Sequence, residues 1–541
     1  MAMGCCHDTS LVQRLCFLLL LSASWLGCRG EPAARPLLSP SRSSGASAPY
    51  PALPVRAVSL GGWLVTEGWI LPSLFDGIPN NDLLDGTQVQ FRSALRGTYL
   101  AAGRRGGGGG GAVAANRTQA SDWETFKLWR VNETMFNLRT SGNMFVGVGG
   151  SDGALVATAT TPGPSETFQI VRSPGDKNRV RIKAANGYFV QAIATGEVMA
   201  DYYDEPTTWS DYDSSVFVIT KVGEAMQGEY QICNGYGTEK ATQVLRNHWS
   251  TYIVEDDFKF IASNGLTAVR IPIGWWIASD PDPPAPYVGG SLHALDNAFT
   301  WAEKYKLGII IDLHAAPGAQ NSWDPSSSRD GTQEWGTTDE NIAQTVQVID
   351  FLASRYAKSP SLFAVELLNE PMAPGVTLER LMKYYRDGYN TIRKYSSTAY
   401  VIMSNRLYGD PTELLQFASM FPGAVLDVHY YTMFDDLCSN FTVQQTIEFI
   451  KSNFSNELTS ITTQNGPLTF VGEWVAEWMV ANATKEEYQA YAKAQMDVYR
   501  EATFGWSYWT VKNVKNHWSV KWMIKNGYIS LTNDYDGIRL S

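Results

Sequence analysis

The chain reads as an α/β protein: a closed (β/α)8 TIM barrel carrying an inserted all-β domain, a β-trefoil, after its first strand. Three observations predict this. From Leu266 onward, short apolar runs alternate with amphipathic segments of helical period, as strand–helix units of a parallel sheet do. Between about Asp85 and Val222 that period vanishes, and β-type residues, glycines and turns take over in three echoing segments. Upstream, "VRAVSLGGWLV" near Val55 supplies one further strand, which brings the count to the eight a barrel needs.

In chain order, the first element is a targeting signal. "VQRLCFLLLLSASWLGCRG" has Arg14, then mostly apolar residues from Leu15 to Leu26, then small residues. That layout predicts a signal peptide over residues 1–30, too short for a comfortable membrane span. The Pro/Ser/Ala-rich residues 31–54 read as a disordered leader. Cys5, Cys6, Cys16 and Cys28 fall in the signal, leaving Cys233 and Cys438, which can pair in an oxidising compartment or stay free. Sequons at Asn116, Asn132, Asn440, Asn453 and Asn482 agree with a secreted glycoprotein, extracellular or in a cell wall.

Residues 55–84 begin the barrel, 85–222 form the insert and 223–541 complete the barrel. Within the insert "FRSALRGTYLAA", "FNLRTSGNMFVGV" and "VRIKAANGYFVQA" echo one another, with Tyr99, Phe145 and Phe189 recurring about every 45 residues. A threefold repeat of short strands is the pattern of a β-trefoil, and its aromatics are expected in the core, with sugar binding left open. The insert resembles a fascin-like domain. Its turn-rich ends, "GIPNNDLLDG" and "KVGEAMQGEY", and the absence from it of any strand-end catalytic candidate predict a separable unit. The remaining barrel strands are "LTAVRIPIGW", "LGIIIDLHAAP", "SLFAVELLNEP", "AYVIMSN", "AVLDVHYYT", "LTFVGEWVA" and "GWSYWTVK". Segments such as "DENIAQTVQVIDFLASRYA" separate them as helices.

Composition limits the partner. Lys+Arg 43 against Asp+Glu 54 gives a formal charge of -11, which disfavours nucleic acid and leaves neutral substrates open. The 18 Trp and 26 Tyr offer flat faces on which sugar rings pack, although large cores also need large residues.

The strand ends supply the chemistry. In such barrels ligands bind at the carboxyl ends of the strands. Those ends present Arg270, His314, Asn369 with Glu370, His429 with Tyr431, Glu473, and Trp509. Each has a bland explanation alone, but polar groups from six strands converging on one rim are not packing. Two glutamates on separate strands are what glycosidic cleavage needs: one protonated to release the leaving oxygen, the other ionised to attack the anomeric carbon. A dry aromatic setting is expected to raise the pKa of the acid, while Arg270 and Tyr431 favour the charged nucleophile. Asn369 can hydrogen-bond a sugar 2-hydroxyl.

At "SLGGWLVTEGWILPSLF", "HWSTYIVEDDFKFIASNGLTAVRIPIGWW", "IDLHAAPGAQN", "ELLNEP" and "VGEW" the chain resembles glycoside hydrolase family 5, in its exo-1,3-β-glucanase branch. The insertion is similar to that of plant members. The resemblance implies a retaining β-glucosidase or exo-β-glucanase with Glu370 as acid/base and Glu473 as nucleophile. Arg270, His314, Asn369, His429, Tyr431 and Trp509 would line the site of the cleaved sugar, and no cofactor or metal would be needed. Glu67 and Asp324 would wall an exo pocket, and Trp323 and Phe434 would clamp the leaving sugar. Departures at Ala319, "NSWDPSSS" and Val511 bear on the preferred glucan rather than on the reaction. An endo-acting β-glucanase or mannanase, or a silent carbohydrate-binding barrel, are the alternatives.

Overall fold

The computed structural model describes residues 51–531 except 104–110, 151, 204–207 and 224. The expected signal peptide, residues 31–50 of the leader and most of the glycine run lie outside the described residues. Eight parallel strands close a barrel in chain order: Val55–Ser59, Ala268–Gly274, Gly308–Ala315, Leu362–Glu366, Tyr400–Ser404, Ala424–Tyr430, Leu468–Trp474 and Gly505–Tyr508, the last pairing with the first.

The two-residue period of a strand decides what each face holds. On the third strand Ile309, Ile311 and Leu313 point outward into the core beneath the helices, while Ile310 points into the barrel. The next two inward positions are Asp312 and His314. On the sixth strand Leu426 and Val428 are outward, and Val425, Asp427 and His429 follow one another inward. The barrel interior is thus apolar at its amino end, where Val55, Ala57, Ala268, Phe363, Phe470 and Phe504 cluster, and charged at its carboxyl end.

Among the described residues, twelve antiparallel strands between Gln88 and Lys221 form the insert. Six of them (Gln88–Ser93, Phe126–Arg130, Met135–Thr140, Thr167–Ser173, Asp176–Lys183 and Phe217–Lys221) pair in a closed ring. Three hairpins, starting at Tyr99, Phe145 and Phe189, cap the ring and touch one another through bridges such as Ala114↔Glu197 and Ala112↔Val156. This is the trefoil arrangement, with its own core of residues such as Val89, Phe91, Leu128, Phe168 and Phe217. The recurring aromatics are not that core. The residue after each one (Leu100, Val146, Val190) is buried there, and Tyr99 and Phe189 are half-buried at its edge.

Cys233 and Cys438 are both buried and unpaired. No helix among the described residues is long and apolar enough to cross a membrane.

Candidate active site

Arg270 organises the carboxyl end of the barrel. Its position on the second strand puts the side chain inward, fully buried. Nε and Nη2 donate to the two oxygens of Glu366 at 2.7 and 3.0 Å, Nη2 also to Asn369 Oδ1 at 2.7 Å, and Nη1 to Glu473 Oε1 at 2.8 Å. Asp312 Oδ2 lies 3.1 Å from Nη2 and accepts His314 Nδ1 at 2.7 Å. Burying so many charges costs more than an apolar core would, so this cluster is explained by what it positions. Burial alone would lower the His314 pKa; Asp312 beside it outweighs burial and raises it.

Glu473 ends the seventh strand with both oxygens engaged, Oε1 by Arg270 and Oε2 by the Tyr431 hydroxyl at 2.6 Å. Those are the two donors expected from the sequence. Glu370 stands four residues beyond the end of the fourth strand, in the left-handed region at φ 47. A side chain other than glycine is strained there, and such strain is tolerated where surrounding contacts over-determine the geometry. Here Asn321 Nδ2 donates to the Glu370 carbonyl at 3.1 Å, and the Asn369 carbonyl accepts Gln320 Nε2 at 2.9 Å.

His429 joins the two glutamates. Nδ1 lies 2.7 Å from Glu370 Oε1 and 3.6 Å from Glu473 Oε2, and Nε2 lies 2.9 Å from Asp427 Oδ2. Burial disfavours the imidazolium, but Glu473, Asp427 and Glu370 around it raise its pKa well above the ordinary histidine value. The effect on Glu370 is reciprocal. Burial pushes its carboxyl up, yet the hydrogen bond and charge of His429 prevail and hold it below the usual range. The expectation of a raised acid pKa is therefore reversed in the protein alone, because a cation, and not only aromatic surface, adjoins the carboxyl.

Around this pair stand the other sequence-predicted residues. Trp509, just past the eighth strand, stacks on His314 with centroids 5.3 Å apart and planes 8° from parallel. Asn369 Nδ2 is buried with no hydrogen-bond partner among the described residues. Glu67, in the loop after the first strand, accepts Trp69 Nε1 at 2.9 Å on Oε2, while its buried Oε1 has no partner among the described residues. Asp324 accepts the Gln227 backbone N–H at 2.9 Å. Neither Glu67 nor Asp324 forms an ion pair with Lys or Arg among the described residues. Trp323 and Phe434 are 41% and 73% exposed, at the mouth rather than in the core.

Sequence reasoning missed Asp312 and Asp427, both fully buried. Their signal was a repeated Asp-x-His, "DLH" on the third strand and "DVH" on the sixth, which alternation puts on one inward face. It also missed Trp69 and Trp518, which meet edge to face at 4.6 Å, with Trp518 also 6.0 Å from the Tyr431 ring. A cavity of about 180 Å³ borders Glu370, lined also by His429, Asn405, Arg406, Tyr408 and Glu457 among others.

Two triads, Glu366–Asp427–His429 and Glu370–His429–Glu473, each bring possible metal-ligand atoms within 4.8 Å of one another. Both depend on His429, whose two ring nitrogens already face carboxylates, and the Arg270 guanidinium already occupies the cation's place in the same cluster. The donor set is that of a proton-transfer site.

Residues 233–515 match the family model described as cellulase (glycosyl hydrolase family 5), and residues 80–222 match a domain of unknown function, DUF7910. A probable glucan 1,3-beta-glucosidase A of Aspergillus clavatus is 32% identical, over 56% of this chain and 80% of its own. A glucan 1,3-beta-glucosidase of Blumeria graminis is 33% identical, over 55% of this chain and 78% of its own. Among solved structures, a rutinosidase from Aspergillus niger is 22% identical, covering 56% of this chain and 88% of that one at a TM-score of 0.48.

Proposed function

Because the chain belongs to glycosyl hydrolase family 5 and is thus a glycoside hydrolase, we propose that it removes terminal β-glucosyl units from a β-glucan or its oligosaccharides, with retention, and that it is secreted. One observation carries the mechanism: an oxygen of Glu370, an oxygen of Glu473 and a ring nitrogen of His429 lie within 4.8 Å of one another. Oxygens that approach this closely favour a retaining pair, whose carboxyl groups stand about 5 Å apart, over the wider inverting arrangement that must hold a water between them.

Glu473, kept ionised by Arg270 and Tyr431, attacks the anomeric carbon as the bond to the leaving oxygen breaks. Glu370 gives that oxygen its proton. The proton reaches Glu370 from His429 Nδ1 along their 2.7 Å hydrogen bond: as sugar excludes water, the neutral pair gains on the charged one. Asp427 keeps a proton on Nε2 and so fixes which nitrogen delivers. In the second half, water attacks the anomeric carbon, the glycosyl ester to Glu473 breaks, and Glu370 takes the water proton and returns it to His429.

The unpartnered Asn369 Nδ2 supports donation to a 2-hydroxyl. Glu67 Oε1, likewise unpartnered, supports a walled pocket that binds outer hydroxyls and ends the chain. A sugar lacking the matching hydroxyl would leave such a group unsatisfied, at about 1–3 kcal/mol. The leaving group belongs on the flank of Glu370 away from this wall, where Trp323, Phe434 and the cavity beside Tyr408 are available.

The test is laminaripentaose sampled early: glucose and the tetramer should appear first, whereas dimer and trimer first would mean a through-running groove. Glu473→Gly should lose hydrolysis yet accept α-glucosyl fluoride as a donor. Glu370→Ala should lose most with poor leaving groups. Recovery of Glu473→Gly by azide as a β-glycosyl azide would reverse the two roles.

A further inference from the structure

The insert and the loop that follows the third barrel strand meet through one carboxylate. Strand Phe126–Arg130 buries Phe126, Leu128 and Arg130, leaving Lys127 and Trp129 on its other face. Antiparallel pairing sets Arg139 opposite Lys127 and Phe145 opposite Arg139, so these four side chains share that face. It is not a solvated face, since Arg139 and Phe145 are both buried. Trp129 packs edge to face on Phe145 at 4.7 Å.

What the face grips is Asp330. Trp129 Nε1 and Arg139 Nη1 donate to Oδ2 at 2.7 and 2.6 Å, and Lys127 Nζ donates to the backbone carbonyl at 2.9 Å. Oδ1 accepts the Thr332 N–H at 3.0 Å and the Thr332 hydroxyl at 2.5 Å. Arg139 Nη1 also donates to the Thr332 hydroxyl oxygen at 2.8 Å. Beside this, the Arg329 guanidinium covers the Trp129 ring at 4.0 Å and donates to Asp85 Oδ1 at 2.7 Å.

From Asp330 the bonds run into the site. Gln333 Nε2 donates to the carbonyls of Gln320 and Met372, both at 2.8 Å. Gln320 Nε2 in turn donates to the carbonyls of His314 and Asn369 at 2.7 and 2.9 Å. Asn321 bridges the Glu370 carbonyl and the Trp323 N–H. The whole stretch between Ala315 and Asp339 has only one short 3-10 turn, Asp324–Ser326. An irregular segment of that length opens locally unless something outside it supplies the missing contacts.

We propose that the insert is a brace for this substrate loop: Trp129 and Arg139, by holding Asp330, are positioning residues that fix where Trp323 and Asp324 stand at the mouth of the site. A buried ion pair is a poor source of stability but a good source of fixed orientation. The insert has a core of its own, to which Asp330 does not belong. This adds a positioning role to a unit expected to be separable, and it gives a role to the domain that the family model leaves without one. The kinetic consequence rests on the hydrolysis proposed above; the mechanical one does not.

The variant is Arg139→Met in the full chain, which keeps an apolar stem over Trp129 and removes the donors. Hydrogen exchange of the amides in 321–334 should quicken by about tenfold while the barrel strands stay unchanged. With laminaritriose, KM should rise about fivefold with kcat within about twofold, and Arg139→Met with Trp323→Ala should be no worse than Trp323→Ala alone. Unchanged exchange in folded Arg139→Met, or losses that simply add, overturns the brace. A wild-type chain inactive on laminaritriose would sink the proposed hydrolysis, and the exchange measurement would still decide the brace. Should Arg139→Met not fold, Trp129→Phe, which removes one hydrogen bond to Asp330, is read by the same two measurements.

Discussion

Glu67 is a carboxyl whose ionisation is opposed from several sides. Burial is the largest effect; His314 and the Trp69 N–H favour the anion, Glu473 and Asp324 disfavour it, and the balance sets the pKa at about 8. Below that pH Glu67 is neutral and its Oε1 side can donate to a sugar hydroxyl. Above it, the site gains a negative charge beside Glu473 and Asp324 and loses the donor. Affinity for neutral sugar should therefore fall as pH rises through about 8, and the inhibition constant for glucose should climb there in the wild type while staying flat in Glu67→Gln. A climb of equal size in Glu67→Gln would assign the effect to another group. At this scale most of the site was legible in the sequence, because strand ends in a parallel barrel have one destination. The exceptions are instructive. Asp312 and Asp427 sit one inward step below the rim, where a carboxylate looks forbidden until the arginine and histidines that pair with it are seen.

Between strands, loops decide which sugar the site accepts. The turn after the fifth barrel strand brings Tyr408, at φ 62 and 79% exposed, to the edge of the cavity that flanks Glu370. A flat aromatic face in that place suits a departing sugar ring, and Asn405 Oδ1, buried without a partner in the same lining, suits one of its hydroxyls. Tyr408→Ala should raise KM for laminaribiose by about threefold to tenfold, roughly 1 kcal/mol of lost contact. Hydrolysis of β-glucosyl fluoride, which has no leaving sugar, should be unaffected; equal losses on both donors would remove Tyr408 from the leaving-group side. The trefoil teaches a related lesson about strands. Its repeat length was legible from Tyr99, Phe145 and Phe189, but which face they occupy was not, since a shift of one residue exchanges the two faces of a strand. The aliphatic residue beside each aromatic fills the core. That leaves Phe145 on the face that meets the barrel, a contact that no periodicity within the insert could reveal.

The molecule as a whole carries a surface suited to the secretory route proposed for it. Asn116, Asn132, Asn440, Asn453 and Asn482 come from both the insert and the barrel, and all five are exposed. A bulky glycan needs an accessible asparagine, and all five meet that requirement. The two cysteines beyond the amino-terminal region pose no conflict with an oxidising compartment. Both are buried and unpaired, and burial raises the thiol pKa at each, to about 11 for Cys438, which leaves little of the reactive thiolate. Expressed through a secretory host, the protein should enter the medium, lose mass on treatment with an amidase that removes N-glycans, and keep two thiols that titrate only after denaturation. Retention in the cell, or an unchanged mass after the amidase, would count against secretion, and the loss of both thiols without added oxidant would mean that Cys233 and Cys438 find each other in the mature protein.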